Sequence, residues 1–142
     1  MWISKIYLTV DTLVFRKTEN QYELLLIKRK NEPFKDCWAI PGGFVDENED
    51  LETAAKRELL EETQIAIEKA EQLKAFGKPF RDPRFHTVTV AFYGFVPENT
   101  IAKAADDAKE AKWFLINNLP ELAFDHLEII NFALEKLNIE NR

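Results

Sequence analysis

Cysteine occurs once in this chain of 142 residues, at Cys37, so no internal disulfide can form. A lone thiol suits a reducing compartment, and beside Trp38 it reads as a core filler rather than a nucleophile. Histidine occurs only twice, at His86 and His126, too few for a histidine zinc site. No apolar run approaches the ~18 residues of a membrane span, and Met1-Trp2-Ile3-Ser4-Lys5 has no signal-peptide pattern, so the chain is read as cytoplasmic. Positive charge is short as well: 19 Lys and Arg stand against 25 Asp and Glu, a net charge of −6. That argues against nucleic acid as the main partner. It leaves room for a small anionic ligand, because a bound cation inverts the local field.

What remains is ordinary for a soluble globule, with 46% hydrophobic and 31% charged residues. The length suits one domain over residues 1–142 with a core of normal size. No repeat or low-complexity linker interrupts it. Residues 6–15 are rich in Val, Thr and Leu and read as a strand, 17–21 as a polar turn, and 22–28 as the hairpin partner. Residues 29–36 form a polar loop around Pro33, and 37–40 a short apolar strand ending at Pro41-Gly42-Gly43. Two glycines after a proline predict unusual backbone angles and a close approach. Residues 65–80 read as one strand or two around a bend. His86 to Phe95 alternates as a clear strand. Residues 99–110 are a polar loop, 112–116 a short strand and 125–137 an amphipathic closing helix, with Leu127, Ile130, Phe132, Ala133 and Leu137 on its apolar face. Strands mixed with two main helices predict a sheet with a helix on each side.

The segment from residue 51 to residue 64 predicts a helix, entered through an acidic stretch where Asn48 or Asp50 can cap it. With Leu51 at 0°, Ala54 falls at about 300°, Ala55 at about 40° and Leu59 at about 80°, an apolar stripe facing a core. Glu58 at about 340° and Glu62 at about 20° lie inside that stripe, and Glu61 at about 280° lies beside it. A helix built only to pack would not put carboxylates there, because clustered acids out of water repel unless a cation is bound. A hard divalent ion with oxygen ligands is the natural compensation.

Gly43, Glu49, Arg57-Glu58-Leu59 and Glu61-Glu62, ending at Ile65, resemble the Nudix box, G-x5-E-x7-R-E-U-x-E-E-x-G-U. Every fixed position matches but one, where Gln64 replaces a glycine. Glycine after a helix usually takes the left-handed conformation. Gln64 therefore either accepts roughly 1 kcal/mol of strain or the turn differs. The resemblance covers nearly the whole chain and implies an α/β (α+β) fold, an α/β/α sandwich around a central mixed sheet, with no length to spare for a winged-helix or adenylyltransferase domain. It implies magnesium or manganese held by Glu58, Glu61, Glu62 and the Gly42 carbonyl, with Glu58 a candidate base and Arg57 pairing with Glu49. A further acid from the loop before Trp113 is Asp106 as ligand or Asp107 as base, with Glu110 another candidate.

Substrate choice must lie outside the box. Arg81-Asp82-Pro83-Arg84 followed by His86 resembles a loop of small ADP-ribose pyrophosphatases within that family. Arg81 and Arg84 can clamp phosphate, while Phe80, Phe85 or Trp38 can stack on adenine. The plainer alternative is a Pro-kinked loop in which Asp82 pairs with an arginine. Leu122-Ala-Phe-Asp125-His126 also resembles a segment of that group and of nicotinamide-pathway regulators, with Asp125 read as the cap of the last helix. The resemblance implies hydrolysis of ADP-ribose to AMP and ribose 5-phosphate by a small-molecule enzyme, with a homodimer common among relatives. The alternatives are a hydrolase of nucleoside triphosphates or other nucleotide sugars, and a non-catalytic ADP-ribose sensor.

Overall fold

The computed structural model describes residues 2–139. Seven strands and two helices follow in the order β1 (Tyr7–Thr18), β2 (Gln21–Arg29), β3 (Trp38–Ala39), β4 (Gly42–Phe44), α1 (Leu51–Thr63), β5 (Glu71–Phe76), β6 (Thr87–Phe95), β7 (Ala108–Leu115) and α2 (His126–Lys136). The main path of the sheet runs β3-β2-β1-β6-β5, with β4 also on β1 and β7 also on β2. β1 and β6 pair in parallel and the other pairs are antiparallel, so the sheet is mixed.

Strand periodicity sorts the core into two layers. Leu13 and Phe15 of β1 and Leu24 and Leu26 of β2 join Ile129, Ile130, Ala133 and Leu134 of α2 in one cluster. Val10 packs with Ala54 and Ala55 of α1, and Val14 and Leu25 pack with Leu59. The sheet therefore carries one helix on each face, and each fully buried Leu or Ile contributes on the order of 1.5–3 kcal/mol. No helix among the described residues is long and apolar enough to cross a membrane.

Residues 65–80 give one strand, β5, the first of the two expected alternatives. Two other expectations need correction. β7 starts at Ala108, within the expected loop, because its pairing on β2 extends past a register shift at Lys28/Arg29. In α2 the buried face is His126, Ile129, Ile130, Ala133 and Leu134, spaced i, i+3, i+4, i+7 and i+8. Leu127 is 52% exposed because it falls off that stripe.

α1 begins with the Asp50 carboxylate accepting the Glu52 N–H at 3.2 Å. It ends at Gln64, which takes the left-handed conformation at φ 60° and donates its N–H to the Leu60 carbonyl. Of the two expectations for this position, the structure takes the strained one. The Gly42-Gly43 turn departs differently: neither glycine has positive φ. Space is the reason for both. A Cβ on Gly42 would lie 2.1 Å from the Val10 carbonyl oxygen, and one on Gly43 would lie 2.5 Å from the Glu58 carboxylate.

Candidate active site

The approach of α1 to the glycine turn creates a cleft of about 330 Å³. Glu62 is 5% exposed, and its Oε1 accepts the Gly42 N–H at 2.8 Å. Burial pushes its pKa up to about 8, assisted by the charges of Glu58, Asp11 and Asp107 and opposed by the Gly42 hydrogen bond. Glu58 is also raised, first by burial, against the pull of Arg57. Arg57 ties the acidic surround together. It holds Glu49 at 2.6 and 2.9 Å, Glu58 at 2.8 Å, Glu61 at 3.2 Å and the Phe44 carbonyl at 3.1 Å. The Glu49 bond is the leading cause that lifts the Arg57 pKa.

The loop carrying Asp106 and Asp107 is pinned to the same helix. Lys103 N–H donates to the Thr63 carbonyl at 2.9 Å and Ala105 N–H to the Glu62 carbonyl at 3.0 Å, satisfying two carbonyls the helix end leaves open. Both aspartates line the cleft. Asp106 weighs on Glu58 and Asp107 on Glu62, each raising its neighbour's pKa.

The donor chemistry fits a hard divalent cation. Glu62 has no cationic partner within ion-pair distance among the described residues, and buried carboxylates without one are costly. The geometry is not a finished cage: no group of three His, Cys, Asp or Glu side chains among the described residues is gathered closely enough to hold a metal. Glu61 is exposed and turned to Arg57, outside the residues lining the cleft. Glu58, Glu62 and the loop aspartates would hold a cation, with Glu61 joining on release from Arg57.

The cleft also has a basic and aromatic lining, from Arg29, Arg81, Arg84 and Phe124. Arg81 is largely spoken for, its Nε and Nη2 donating to Asp125 at 2.9 and 2.6 Å with only 5% of the side chain exposed. Asp125 precedes α2 but makes no side-chain cap, because its carboxylate is committed to Arg81. Arg84 pairs with Asp82 at 3.1 and 2.9 Å, the pairing of the plainer alternative, yet its side chain stays 37% exposed. The aromatic residues expected to stack do not line the cleft. Trp38 packs edge-on against Phe114 at 4.8 Å in the core. Phe80 is 92% exposed. His86 Nε2 lies 3.3 Å from the Gly77 carbonyl, and His86 is outside the cleft lining.

The lining residues absent from the sequence-based set include Asp11, Arg29, Phe124 and His126. Asp11 is buried and accepts the Thr89 hydroxyl at 2.6 Å. His126 Nδ1 accepts the Ile40 N–H at 3.0 Å and Nε2 lies 3.8 Å from Asp11. Burial holds His126 below the usual imidazole range, so the ring is neutral with its proton on Nε2, facing Asp11. The available signal was a carboxylate inside the apolar run Val10-Asp11-Thr12-Leu13. Phe124 and His126 stood in the segment from Leu122 to His126 whose resemblance the sequence shows, though only Asp125 was given a role, and Arg29 carried no signal.

Comparison with known proteins accounts for this geometry. The NUDIX domain profile matches residues 7–132. The chain is 46% identical to the ADP-ribose pyrophosphatase of Methanocaldococcus jannaschii, over 89% of its own length and 74% of that protein. It is 34% identical to the ADPR responsive transcriptional repressor NtrR of Acinetobacter baylyi, over 95% of its own length but 56% of the repressor. The crystallised NUDIX domain of Shewanella oneidensis NrtR, complexed with ADP ribose, superposes with a TM-score of 0.89 at 34% identity, covering 95% of this chain and 90% of that one. The profile match and these likenesses in sequence and fold show that the chain belongs to the Nudix hydrolase family.

Proposed function

We propose that this cleft hydrolyses the pyrophosphate of ADP-ribose to AMP and ribose 5-phosphate. The observation that carries the reading is the mixed charge of one cleft. Carboxylates from α1 and the Asp106–Asp107 loop line it together with Arg29, Arg84 and Phe124. A ligand with a pyrophosphate, a bound cation and a flat base suits such a lining. The substrate itself is supported by the resemblance to a protein named an ADP-ribose pyrophosphatase and to a domain crystallised with ADP ribose.

Nudix hydrolases generally act with a divalent metal, here read as magnesium or manganese on Glu58, Glu61, Glu62, Asp106 and the Gly42 carbonyl. When bound, such an ion polarises phosphoryl oxygens and lowers the pKa of water. The chain's own groups do the rest. Glu62 gives up its proton on loading. Arg57 fixes Glu58 against the glycine turn. Glu58 or Asp107 accepts the proton of the attacking water, and Arg84 meets phosphoryl charge. Arg81, fixed on Asp125, sets the loop rather than touching substrate. The chain is further read as one cytoplasmic domain working on small nucleotides, with a homodimer as its assembly.

A panel of nucleoside diphosphate derivatives at fixed magnesium, with products resolved by chromatography, tests the reading. ADP-ribose should lead, with AMP and ribose 5-phosphate as products. A triphosphate or another nucleotide sugar turned over faster would replace it as substrate. The likeness to a repressor supports a second reading, an ADP-ribose sensor. Single-turnover assays with and without metal separate the two, since a sensor would bind ADP-ribose and leave it intact.

A further inference from the structure

His126 is buried in the cleft wall, and its place follows from a strand ladder that stops one rung short. Trp38 of β3 pairs in parallel with Leu122. The Trp38 N–H donates to the Glu121 carbonyl at 3.1 Å, and the Trp38 carbonyl accepts the Ala123 N–H at 2.8 Å. In such a ladder the next rung would run from the Ile40 N–H to the Ala123 carbonyl. Phe124 instead takes a left-handed turn at φ 51°, and the Ala123 carbonyl accepts the His126 N–H at 3.1 Å as α2 begins. Ile40 is buried, so its N–H needs another acceptor, and His126 Nδ1 takes it at 3.0 Å. The side chain thus supplies the missing rung. The main chain that follows is held from other sides. The Thr12 N–H donates to the Pro41 carbonyl at 2.8 Å, and Glu62 accepts the Gly42 N–H at 2.8 Å. Pro41 has no N–H of its own. Three successive residues are therefore fixed immediately before the Gly42 carbonyl, and His126 holds the first of them.

We propose that His126 is a positioning residue: by accepting the Ile40 N–H it fixes the Ile40-Pro41-Gly42 main chain, and with it the Gly42 carbonyl offered to the divalent cation. The role rests on the metal site of the pyrophosphohydrolase reading and is indifferent to which nucleotide is cleaved. It requires an acceptor at Nδ1. It places no demand on Nε2, which lies 3.8 Å from Asp11, beyond hydrogen-bond reach. Loss of the acceptor frees the turn on one side only, so the fold persists while an oxygen ligand loses its fixed direction. Groups that hold a metal's ligands in place govern its affinity by on the order of 10–100-fold.

The test is titration of the intact, metal-free chain with Mn2+ alone, following free Mn2+ by electron paramagnetic resonance. His126→Leu should weaken Mn2+ binding by on the order of ten-fold or more. His126→Asn, whose Oδ1 stands as many bonds from the backbone as Nδ1, should restore most of it. His126→Gln, whose polar atoms reach the Nε2 position instead, should not. In turnover of ADP-ribose, the magnesium concentration for half-maximal rate should rise in the same order, while KM for ADP-ribose at saturating magnesium stays within about two-fold. A merely structural histidine would lower the urea midpoint of its variants and leave the Mn2+ affinity of the folded protein unchanged. Circular dichroism identifies the folded variants, and the comparison of His126→Asn with His126→Gln decides should His126→Leu not fold. Wild-type Mn2+ affinity in the folded Leu or Gln variant, equal losses in Asn and Gln, or a loss confined to KM overturns the positioning role. A wild-type chain that takes up no Mn2+ removes the metal site itself, and the role with it. The expected order of Mn2+ affinities in a protein that leaves ADP-ribose intact keeps the role and removes the substrate reading.

Discussion

Glu62 shows how much one buried side chain can carry. Glu62→Gln keeps an oxygen to accept the Gly42 N–H and removes only the charge. Turnover at saturating magnesium should fall by on the order of 10²-fold or more. The melting temperature in EDTA should not fall with it, because the amide stands in for the neutral carboxyl that burial favours below about pH 8. Near-normal turnover in this variant would remove α1 from the chemistry. Gln64→Gly addresses the departure from the family pattern. The left-handed backbone at φ 60° costs a side chain up to about 1 kcal/mol, which glycine relieves in part against its larger unfolded-state entropy. Urea denaturation should show a gain of about 0.5–1 kcal/mol, and a loss would mean that the Gln64 side chain contributes packing. At this scale the sequence was readable where a charge broke an apolar pattern, as at Glu58 and Glu62. It was unreadable where function depends on residues far apart in the chain. Nothing near Arg29 announces Phe124, and nothing near Asp11 announces His126; only folding brings them together.

Elements were legible in proportion to their local signal. The helix of the box, the first hairpin and β6 all carry periodicity and end signals, and they form as expected. The start of β7 was not, because Ala108 to Ala111 is shaped by pairing with β2 and has little strand character of its own. The Arg81–Asp125 bond belongs to this scale, since it joins the loop after β5 to the start of α2. Sequence reading gave Arg81 to the substrate; its buried bidentate pairing makes it a strut. Asp125→Ala should cost about 3 kcal/mol by stranding the Arg81 charge, read as a lower urea midpoint. Arg81→Lys should lower it less. Unchanged stability in both variants would return Arg81 to the substrate's side of the cleft.

The molecule as a whole should record its metal site in its pH dependence. Glu62 has a folded pKa of about 8 against an ordinary value of 4.5, raised by burial first. The folded state thus binds that proton more tightly than the unfolded state does. Its contribution to stability is complete below pH 4.5 and is lost as pH rises towards about 8. Glu58 shifts in the same direction. In EDTA the melting temperature should decline across that window, and added magnesium should restore it most at the alkaline end, where the carboxylates are ready to bind. A melting temperature that stays flat in EDTA from pH 5 to 8 would show that Glu62 is already compensated by something other than a cation. The parallel pairing of β1 with β6 has a consequence in time. Each residue from Tyr7 to Phe15 meets a partner eighty positions further along, from Thr87 to Phe95. On a ribosome the β1–β2 hairpin can close early, yet the central seam must wait for β6 to emerge. Refolding should run in milliseconds to seconds, as for other domains governed by distant contacts. Because Asp11 lies on that seam and helps line the cleft, catalytic competence should return with the slowest folding phase, after most of the helical signal has already recovered.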